Sequence, residues 1–457
     1  MKADTYPSGS SLFHFFLKSK AISTFLFAVL FFLCFSDQVF STRILGFNFR
    51  WGQILLLLLA WPSLTRLIAD VRKGSLEGNN RLRLLFYWAP FFLIYGLAAL
   101  NSTSPFLTGI KGCWGIFNIG CALLVVLNPQ WDLWTKNAFL RGFQWGIGLV
   151  AGIIWVQLLA SCWFGISQAG NIHDQISQRV TISFPHFVLL LGFGQPIGTF
   201  DNINLFRPCA FYYEPSYAGC ALSFALPLLL ILDEQEGSAR KGWLPGFILA
   251  TVFLVSSRSG ILSAFLSLSL ASFYFLLQNQ KTFLKTIGKC LGVGFLLVLM
   301  FCATPHARKF VHYIFFPLGI ESVSRFNNIG TSEGGRFANI IQSLKICKLH
   351  PFLGNGIYAG SGVGGNGLGQ LAMNTWLEIG LESGAFGVLT FLGALLASMR
   401  WALKGGFFPG EKFWAFAAWT SHLALNLNLT QTFPRLDYWL IFYFSIYLLI
   451  RSGLKKF

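Results

Sequence analysis

The chain has 457 residues, of which 54% are hydrophobic and only 11% are charged. Soluble domains carry about 25% charged residues, so this composition excludes an ordinary soluble protein and predicts an all-α polytopic membrane protein. A net charge of +17 would suggest nucleic acid in a soluble protein. Here the distribution of the charges along the chain fits a membrane protein, and no nucleic-acid partner is expected.

About twelve apolar runs are long enough to be membrane-spanning helices, since about 20 residues cross the hydrocarbon core. The first run lacks a small-residue cleavage site and is expected to stay as an uncleaved span. We find no internal repeat and no separate soluble domain, so residues 1–457 are predicted to form one integral membrane domain. In chain order the predicted spans are 21–36, 51–64, 84–100, 112–128, 139–164, 216–232, 243–256, 259–277, 286–303, 375–399, 413–428 and 438–450.

Two segments, 165–215 and 304–372, are too polar and too interrupted by Gly and Pro to cross, and they are predicted to be long loops. With the N-terminus inside, 21 of the 34 Lys and Arg residues lie on internal segments, and each internal segment carries at least two. The positive-inside rule therefore places both long loops on the extracytoplasmic side. The surplus positive charge then mostly faces the anionic inner leaflet.

The nine cysteines are scattered, mostly within apolar runs and without a CxxC pair. This pattern is typical of buried small hydrophobic residues. Cys209 and Cys347 fall in the external loops, where a bond between them is an alternative.

Four arginines lie on the side that the positive-inside rule disfavours: Arg207, Arg258, Arg336 and Arg435. A charged Arg at the membrane edge is costly unless it is paired, which makes each one a functional hypothesis. Snorkelling to the interface is the alternative for a single Arg. That alternative is weakest for Arg258, because VSSRSG joins two apolar runs with almost no polar loop between them.

Three converging guanidinium groups, those of Arg207, Arg258 and Arg336, suit a diphosphate at the lipid–water boundary. Each presents a planar fork that binds phosphate oxygens bidentately, and each charge-assisted bond contributes about 1.5–3 kcal/mol. The sequence contains no DxD, HExxH or Cys/His cluster, so neither a metal nor a cofactor is expected. A nucleotide-driven pump is disfavoured because there is no GxxxxGK[ST] loop. Nucleotide sugars are cytoplasmic, so an outward-facing site requires a lipid-borne donor.

The segment GNGIYAGSGVGGNGLG (354–369) contains eight glycines in sixteen residues. It is compatible with a mobile lid or a backbone nest for an anion. A merely flexible loop explains it equally well.

These residues also carry a resemblance to a known family. Arg207 precedes an aromatic-EPS-x-x-G string at the head of a span, SRSG (257–260) joins two close spans, and GGR (334–336) is followed by HPFLGNGIY (350–358) and NTWLEIGLESGAFG (374–387). This ordered set, over residues 200–387, resembles the O-antigen polymerase and O-antigen ligase family.

The resemblance implies a fold like that of C-type glycosyltransferases, with a mostly helical membrane body and an active site on its outer face. It implies a bacterial inner-membrane protein with the site facing the periplasm, acting on sugars linked to undecaprenyl diphosphate. By position, Arg207, Arg258 and Arg336 match the diphosphate-binding arginines of the family. In ligases the last block usually begins His-Asn, whereas this chain has Met373 before Asn374. A thioether cannot take a proton, so this departure favours a polymerase of oligosaccharide repeat units.

Further residues are candidates for acid–base and substrate roles. Glu214 is the first candidate for the general base, or it orients an arginine by pairing with it, and His350 is the second. Glu378 and Glu382 are spaced i, i+4 and share one helix face near Asn374, where they are expected to bind acceptor sugar. Some aromatic residues are expected to stack on sugar rings, although an interfacial belt also explains them. They are Phe211, Tyr212, Tyr213, Tyr358 and Trp376. The remaining substrate-binding candidates are Tyr213, Tyr358 and Arg435.

Two other functions stay open. A ligase would use the same donor and the same arginines but transfer the glycan to lipid A core or to a protein hydroxyl. A transporter or flippase of an anionic lipid or solute would place charged residues in mid-membrane, whereas here they cluster at the outer ends of the spans. The expected partners are the lipid-linked oligosaccharide, the bilayer, a flippase and a chain-length regulator.

Overall fold

The computed structural model describes most of the helical body of the chain. Its described part contains nine longer α-helices, and they follow the order of the apolar runs. The described residues are 20–35, 41–44, 47–74, 76–102, 105–126, 133–164, 194–200, 203–208, 210, 215–236, 243–255, 257–278, 341, 343–357, 375–403, 439–440 and 442–443. The helices are α1 (Lys20–Phe35), α2 (Trp51–Arg72), α3 (Leu76–Ala98), α4 (Pro105–Val126), α5 (Leu133–Phe164), α6 (Pro215–Glu236), α7 (Trp243–Leu254), α8 (Arg258–Gln278) and α9 (Thr375–Leu403).

By length and composition alone, four stretches of these helices are long and apolar enough to cross a membrane, with mean hydropathies of 1.5 to 1.7. Large apolar side chains on their outer faces are exposed, for example Trp61 and Trp145, each at 69%. Such exposure suits a lipid environment and not water. The prediction of a mostly helical membrane protein is therefore confirmed. The four stretches are Trp51–Ala69, Leu82–Asn101, Ala138–Leu159 and Thr375–Ser398.

The full count of twelve spans stays a prediction. The first eight predicted spans overlap α1 to α8, and the predicted span 375–399 falls on α9. The predicted spans 286–303 and 413–428 lie outside the described residues. Of the last span, 438–450, four residues are described, and of the two predicted long loops only short pieces are.

Two short antiparallel hairpins accompany the helices. Strands β1 (Ser41–Ile44) and β2 (Phe47–Arg50) pair in the connection between α1 and α2. Strands β3 (Gly194–Phe200) and β4 (Ile203–Pro208) pair within the predicted loop 165–215. Reading for long apolar runs cannot detect strands of four to seven residues. The second hairpin leads directly into the segment that precedes α6.

Helices α1 and α5 pack parallel to each other. A Cβ at Gly142 would lie 2.7 Å from the backbone N of Ala28, and a Cβ at Gly146 would lie 2.8 Å from Cβ of Phe31. Contacts thus advance together along both helices, and the missing side chains let the backbones approach closely. The first and fifth spans of an alternating chain must run in the same direction, as these two do.

A buried aromatic cluster joins α3 to the C-terminal part of the chain. The Trp88 ring lies 5.9 Å from that of Phe391, 5.6 Å from Trp439 and 5.2 Å from Tyr443, all near edge-to-face. The Trp88 indole N–H donates to Ser398 Oγ at 3.2 Å, which satisfies its polar atom inside the core. Since Trp88 bonds to Ser398 and the later Phe91 packs on the earlier Phe391, α3 and this part of α9 are antiparallel.

Candidate functional site

Of the four predicted arginines, the structure describes the backbone of two. Arg207 lies in β4, where it pairs with Gln195 of β3, and Arg258 is the first residue of α8. The side chains of both, and the whole of Arg336 and Arg435, lie outside the described residues. The predicted convergence of the guanidinium groups therefore stays a prediction.

Two of the sequence motifs meet at a helix crossing. A Cβ on Gly260, in SRSG, would lie 2.7 Å from the Cα of Gly219, in EPSYAG, and one on Gly219 would lie 2.7 Å from Cβ of Ser257. The Ser257 hydroxyl oxygen also accepts the N–H of Gly260 at 3.2 Å and so caps the start of α8. The N-terminal ends of α6 and α8 are thus in backbone contact, and Arg258 begins its helix beside that contact.

A buried amide holds Ala210, which lies between Arg207 and Glu214 in the sequence. The Gln157 side chain of α5 donates through Nε2 to the Ala210 carbonyl and accepts the Ala210 N–H through Oε1, both at 3.0 Å. Ala210 is fully buried and has a φ of 51°, a left-handed conformation that is uncommon for a residue with a Cβ. The two hydrogen bonds satisfy both backbone groups of this residue and fix the chain just before the aromatic-EPS string.

Helix α9 reverses direction at Gly384, where φ is 64° and ψ is −162°. The Trp376 and Phe391 rings lie 5.2 Å apart, whereas fifteen residues of a straight helix span about 22 Å. A Cβ at Gly380 would likewise lie 3.6 Å from Cγ2 of Val388. We call residues 375–383 the short arm and residues 385–403 the long arm. The predicted span 375–399 did not include this reversal, and the long arm alone is about 28 Å long.

The turn 351–356, from the motif HPFLGNGIY, closes the break at Gly384. Two of its N–H groups donate to the last carbonyls of the short arm, and two of its carbonyls accept from the first N–H groups of the long arm. The helix ends at a break would otherwise leave these groups unsatisfied, which is costly at a membrane. The four bonds join Asn355 N to Leu381 O (2.8 Å), Gly356 N to Glu382 O (3.1 Å), Ala385 N to Pro351 O (2.8 Å) and Phe386 N to Phe352 O (3.1 Å).

Glycines allow this turn to dock. Gly354 and Gly356 have φ values of 74° and 92°, which favour glycine. A Cβ on Gly356 would lie 2.6 Å from Ser102. The Asn101 side chain donates to the Gly354 carbonyl at 3.3 Å, so the 3-10 turn that follows α3 also contacts the turn 351–356. Part of the predicted glycine-rich lid, 354–357, is therefore a packed turn, and residues 358–369 lie outside the described residues.

Glu382 is a buried acid at the break. Its side chain is 3% exposed, and its Oε2 accepts a hydrogen bond from the hydroxyl of Tyr95, which is also 3% exposed. Tyr95 belongs to α3 and lies 287 residues away along the chain. This contact therefore links a motif residue to a helix that carries no motif.

Glu378 lies one turn earlier on the short arm. Its Oε2 is buried and has no hydrogen-bond partner among the described residues, and the same is true of the hydroxyl of Ser102, which follows the 3-10 turn Ala99–Asn101 after α3. Glu378 and Glu382 are close enough to interact electrostatically. The two acids thus differ in their surroundings, since Glu382 is held by a donor and Glu378 keeps a buried oxygen for another one.

These motif segments lie at one end of the helical bundle, which we call the motif end. A Cβ on Gly52 at the start of α2 would lie 3.1 Å from the N of Cys34 in α1, and Trp114 of α4 donates to Gln53 at 3.0 Å. The end of α1 and the start of α2 therefore lie beside the N-terminal half of α4, which begins soon after the end of α3. Helix α5 parallels α1, so Gln157 near its end brings Ala210 and the starts of α6 and α8 to the same side.

Of the other residues singled out from the sequence, some are described by the structure and others are not. His350 is exposed, and its carbonyl accepts the Gly354 N–H at 2.9 Å, at the entry to the docked turn. Cys347 is a free thiol, whereas Cys209, its alternative partner, lies outside the described residues. The candidates Glu214, Tyr213, Asn374 and Tyr358 also lie outside the described residues.

Sequence reasoning missed Tyr95, Asn101, Ser102 and Gln157. One signal was available for Gln157, because it is a lone amide in the apolar run IIWVQLLA, and a polar side chain inside a span needs a partner. Asn101 and Ser102 end a span as the first polar residues after it, which is a weaker signal. No signal marked Tyr95, since the interfacial belt explains most such residues.

The chain matches no protein-family model. No curated protein sequence is significantly similar to it either. The family resemblance of the motifs, and the roles that it implies, are therefore proposals.

Proposed function

We propose that this protein is a glycosyltransferase that joins lipid-linked oligosaccharide repeat units, with its active site at the motif end of the bundle. The observation that carries the proposal is pairwise contact between motifs that are far apart in sequence. Gly219 meets Gly260, and the turn 351–356 closes the break at Gly384. Four motif segments therefore form two contacts, and both contacts lie at the motif end of the bundle.

Arg258 is the proposed centre of the donor site. It starts α8, where the free N–H groups and the helix dipole favour an anion in addition to the guanidinium charge. Arg207 and Arg336 are proposed to complete the grip on the diphosphate. Charge builds on this group as it leaves, and preplaced guanidinium groups stabilise that charge better than mobile water does.

The proposed reaction is a displacement at an anomeric carbon. A hydroxyl oxygen of one glycan forms a bond to the anomeric carbon of the other, and the bond from that carbon to the phosphate oxygen breaks. Undecaprenyl diphosphate leaves with the electron pair, and a general base takes the hydroxyl proton. Glu214 and His350 are the candidates for the base. Asn374, Glu378, Glu382, Tyr213, Tyr358 and Arg435 are proposed to hold the sugars.

The proposed setting is the bacterial inner membrane. Twelve spans would place the motif end in the periplasm, because the internal segments carry the excess of Lys and Arg. A flippase would deliver the lipid-linked units to that side, and a chain-length regulator would set the product size.

Reconstituted protein tests the proposal directly. Purified protein in liposomes is given lipid-linked repeat units extracted from the source strain, and products are separated by size. A ladder of longer glycans is expected without any second acceptor, whereas unchanged units would contradict the polymerase. Arg258→Ala should insert normally and lose the ladder, and Arg258→Lys should also be poor because a point charge lacks the bidentate fork. Arg72→Ala, an exposed cation at the C-terminal end of α2, is the matched control and should leave the ladder unchanged.

The same preparation separates the second candidate function. A ligase would leave the repeat units unjoined until lipid A core or an acceptor protein was added. Met373 in place of the usual His favours the polymerase over the ligase. A transporter would move the lipid or solute across the liposome membrane without changing its covalent structure.

A further inference from the structure

We propose that Tyr95 is a positioning residue which fixes Glu382, so that Glu378 is the carboxylate that binds a hydroxyl group of the acceptor glycan. This inference rests on the proposed function and assigns different roles to the two acids. It also brings into the site a residue of α3, a helix that carries none of the motifs.

The first step concerns Glu382. Both Glu382 and Tyr95 are 3% exposed, and the Tyr95 hydroxyl donates to Oε2 of the acid. A donor inside a protein core restrains the acceptor strongly, because neither group can turn to water instead. The Glu382 backbone is restrained as well, since its carbonyl accepts the Gly356 N–H at 3.1 Å. Side chain and backbone of Glu382 are therefore both held.

The second step concerns Glu378. Its buried Oε2 has no hydrogen-bond donor among the described residues. A buried acceptor without a partner is costly, so a donor from a ligand or a solvent molecule is expected there. The hydroxyl of Ser102, 6% exposed and also without a partner among the described residues, lies against Gly356 at the same break. A second buried polar group without a partner among the described residues therefore lies at the motif end.

The ligand class follows from these groups. Carboxylate oxygens accept hydrogen bonds, and a serine hydroxyl both donates and accepts. Aliphatic hydroxyl groups, as on a sugar, both donate and accept hydrogen bonds and so match these groups. The proposed separation is therefore a diphosphate at the arginines and a sugar hydroxyl at Glu378.

A reactivity test addresses the two acids without any turnover. Protein in detergent is treated with a hydrophobic carbodiimide, and the modified peptides are counted by mass spectrometry. Glu378 should be modified at least about tenfold faster than Glu382, because Tyr95 occupies the latter. Tyr95→Phe should remove most of this difference, and lipid-linked repeat units should slow the modification of Glu378. Equal reactivity in the unchanged protein, or a difference that survives Tyr95→Phe, would overturn the proposal whether or not the protein makes polymer.

A double-mutant cycle tests the coupling between Tyr95 and Glu382 through enzyme activity. Tyr95→Phe and Glu382→Gln are made singly and together, and kcat and KM are measured for chain growth from lipid-linked repeat units. Tyr95→Phe should lower kcat/KM about tenfold, the effect of one charge-assisted hydrogen bond. The double variant should be no worse than Glu382→Gln, because Tyr95 acts through that acid. Multiplied losses in the double variant would refute the positioning role.

Two further variants keep the outcomes distinct. Tyr87→Phe removes a hydroxyl from the same helix two turns away and should leave kcat/KM unchanged. Glu378→Gln should raise KM, with the reactivity of Glu382 unaltered. If the unchanged protein makes no polymer while the carbodiimide pattern holds, the proposed function fails and the assignment of the two acids stands. If polymer forms and the pattern is absent, the assignment alone fails.

Discussion

Gly219 of α6 and Gly260 of α8 are in backbone contact, with no room for a side chain on either residue. A Cβ on Gly260 would lie 2.7 Å from both the Cα and the carbonyl carbon of Gly219. The glycines of EPSYAG and SRSG therefore have a steric role. They let two helices cross closely enough to bring the start of α8, with Arg258, beside the start of α6.

We expect Gly260→Ala to lower the free energy of unfolding by about 1–3 kcal/mol, because the added methyl group forces two backbones apart. Thermal unfolding of the purified protein in detergent measures the effect. Chain growth should fall as well, since Arg258 is displaced with the helix.

The control for this change is Gly152→Ala in α5, where a Cβ would meet nothing within 4 Å. Alanine is favoured over glycine inside a helix by about 0.5–1 kcal/mol, so this variant should be unchanged or slightly more stable. An equal loss in both variants would show that the contact between α6 and α8 is not tight.

We expect Gln157→Leu to destabilise the protein by about 2–6 kcal/mol. The leucine leaves the N–H and carbonyl of Ala210 buried without partners, and each lost bond costs about 1–3 kcal/mol. Thermal unfolding again measures it, with Gln144→Leu in the same helix as the control. A stable Gln157→Leu protein that still extends glycans would show that Ala210 is held by other contacts.

The helices and their order could be predicted from the sequence because lipid selects long apolar runs. Side chains such as Trp61, exposed at 69%, would be unfavourable in water and are ordinary beside lipid. The parallel packing of α1 and α5 also agrees with the order of the predicted spans, since the first and fifth spans of an alternating chain run in the same direction. Features that depend on hydropathy averaged over many residues could therefore be predicted from the sequence.

The reversal at Gly384 could not be predicted, because hydropathy is continuous through the run 375–399. The break depends on one glycine and on carbonyl and N–H groups from the turn 351–356, about thirty residues earlier. The Tyr95 to Glu382 bond likewise joins residues 287 positions apart, and no local pattern records it. The motifs indicated which segments are candidates for the functional site, but the contacts between these segments depend on the tertiary fold.

We expect Gly384→Ala to prevent correct folding of α9. A φ of 64° with a ψ of −162° belongs to a region that only glycine adopts readily, and strain there costs about 1–3 kcal/mol. A Cβ would also overlap the backbone of Phe352 in the docked turn. Size-exclusion chromatography and thermal unfolding should report less folded protein. Gly393→Ala in the long arm, where a Cβ meets nothing within 4 Å, should behave like the unchanged protein.

The reversal of α9 also predicts a cross-link. A Cβ at Gly380 would lie 3.9 Å from Sγ of Cys347, so Gly380→Cys should form a disulfide with that native thiol under mild oxidation. Burial raises the pKa of the Cys347 thiol above its ordinary value, and a backbone hydrogen bond offsets this in part. Because the thiolate is the reactive form, bond formation should be slow at pH 7 and should accelerate as the pH rises to 9 and above. Mass spectrometry of the linked peptides measures it, with Gly393→Cys and a Cys347→Ser background as controls. Absence of the 347–380 link at high pH would show that the short arm does not lie beside the residues that precede the turn.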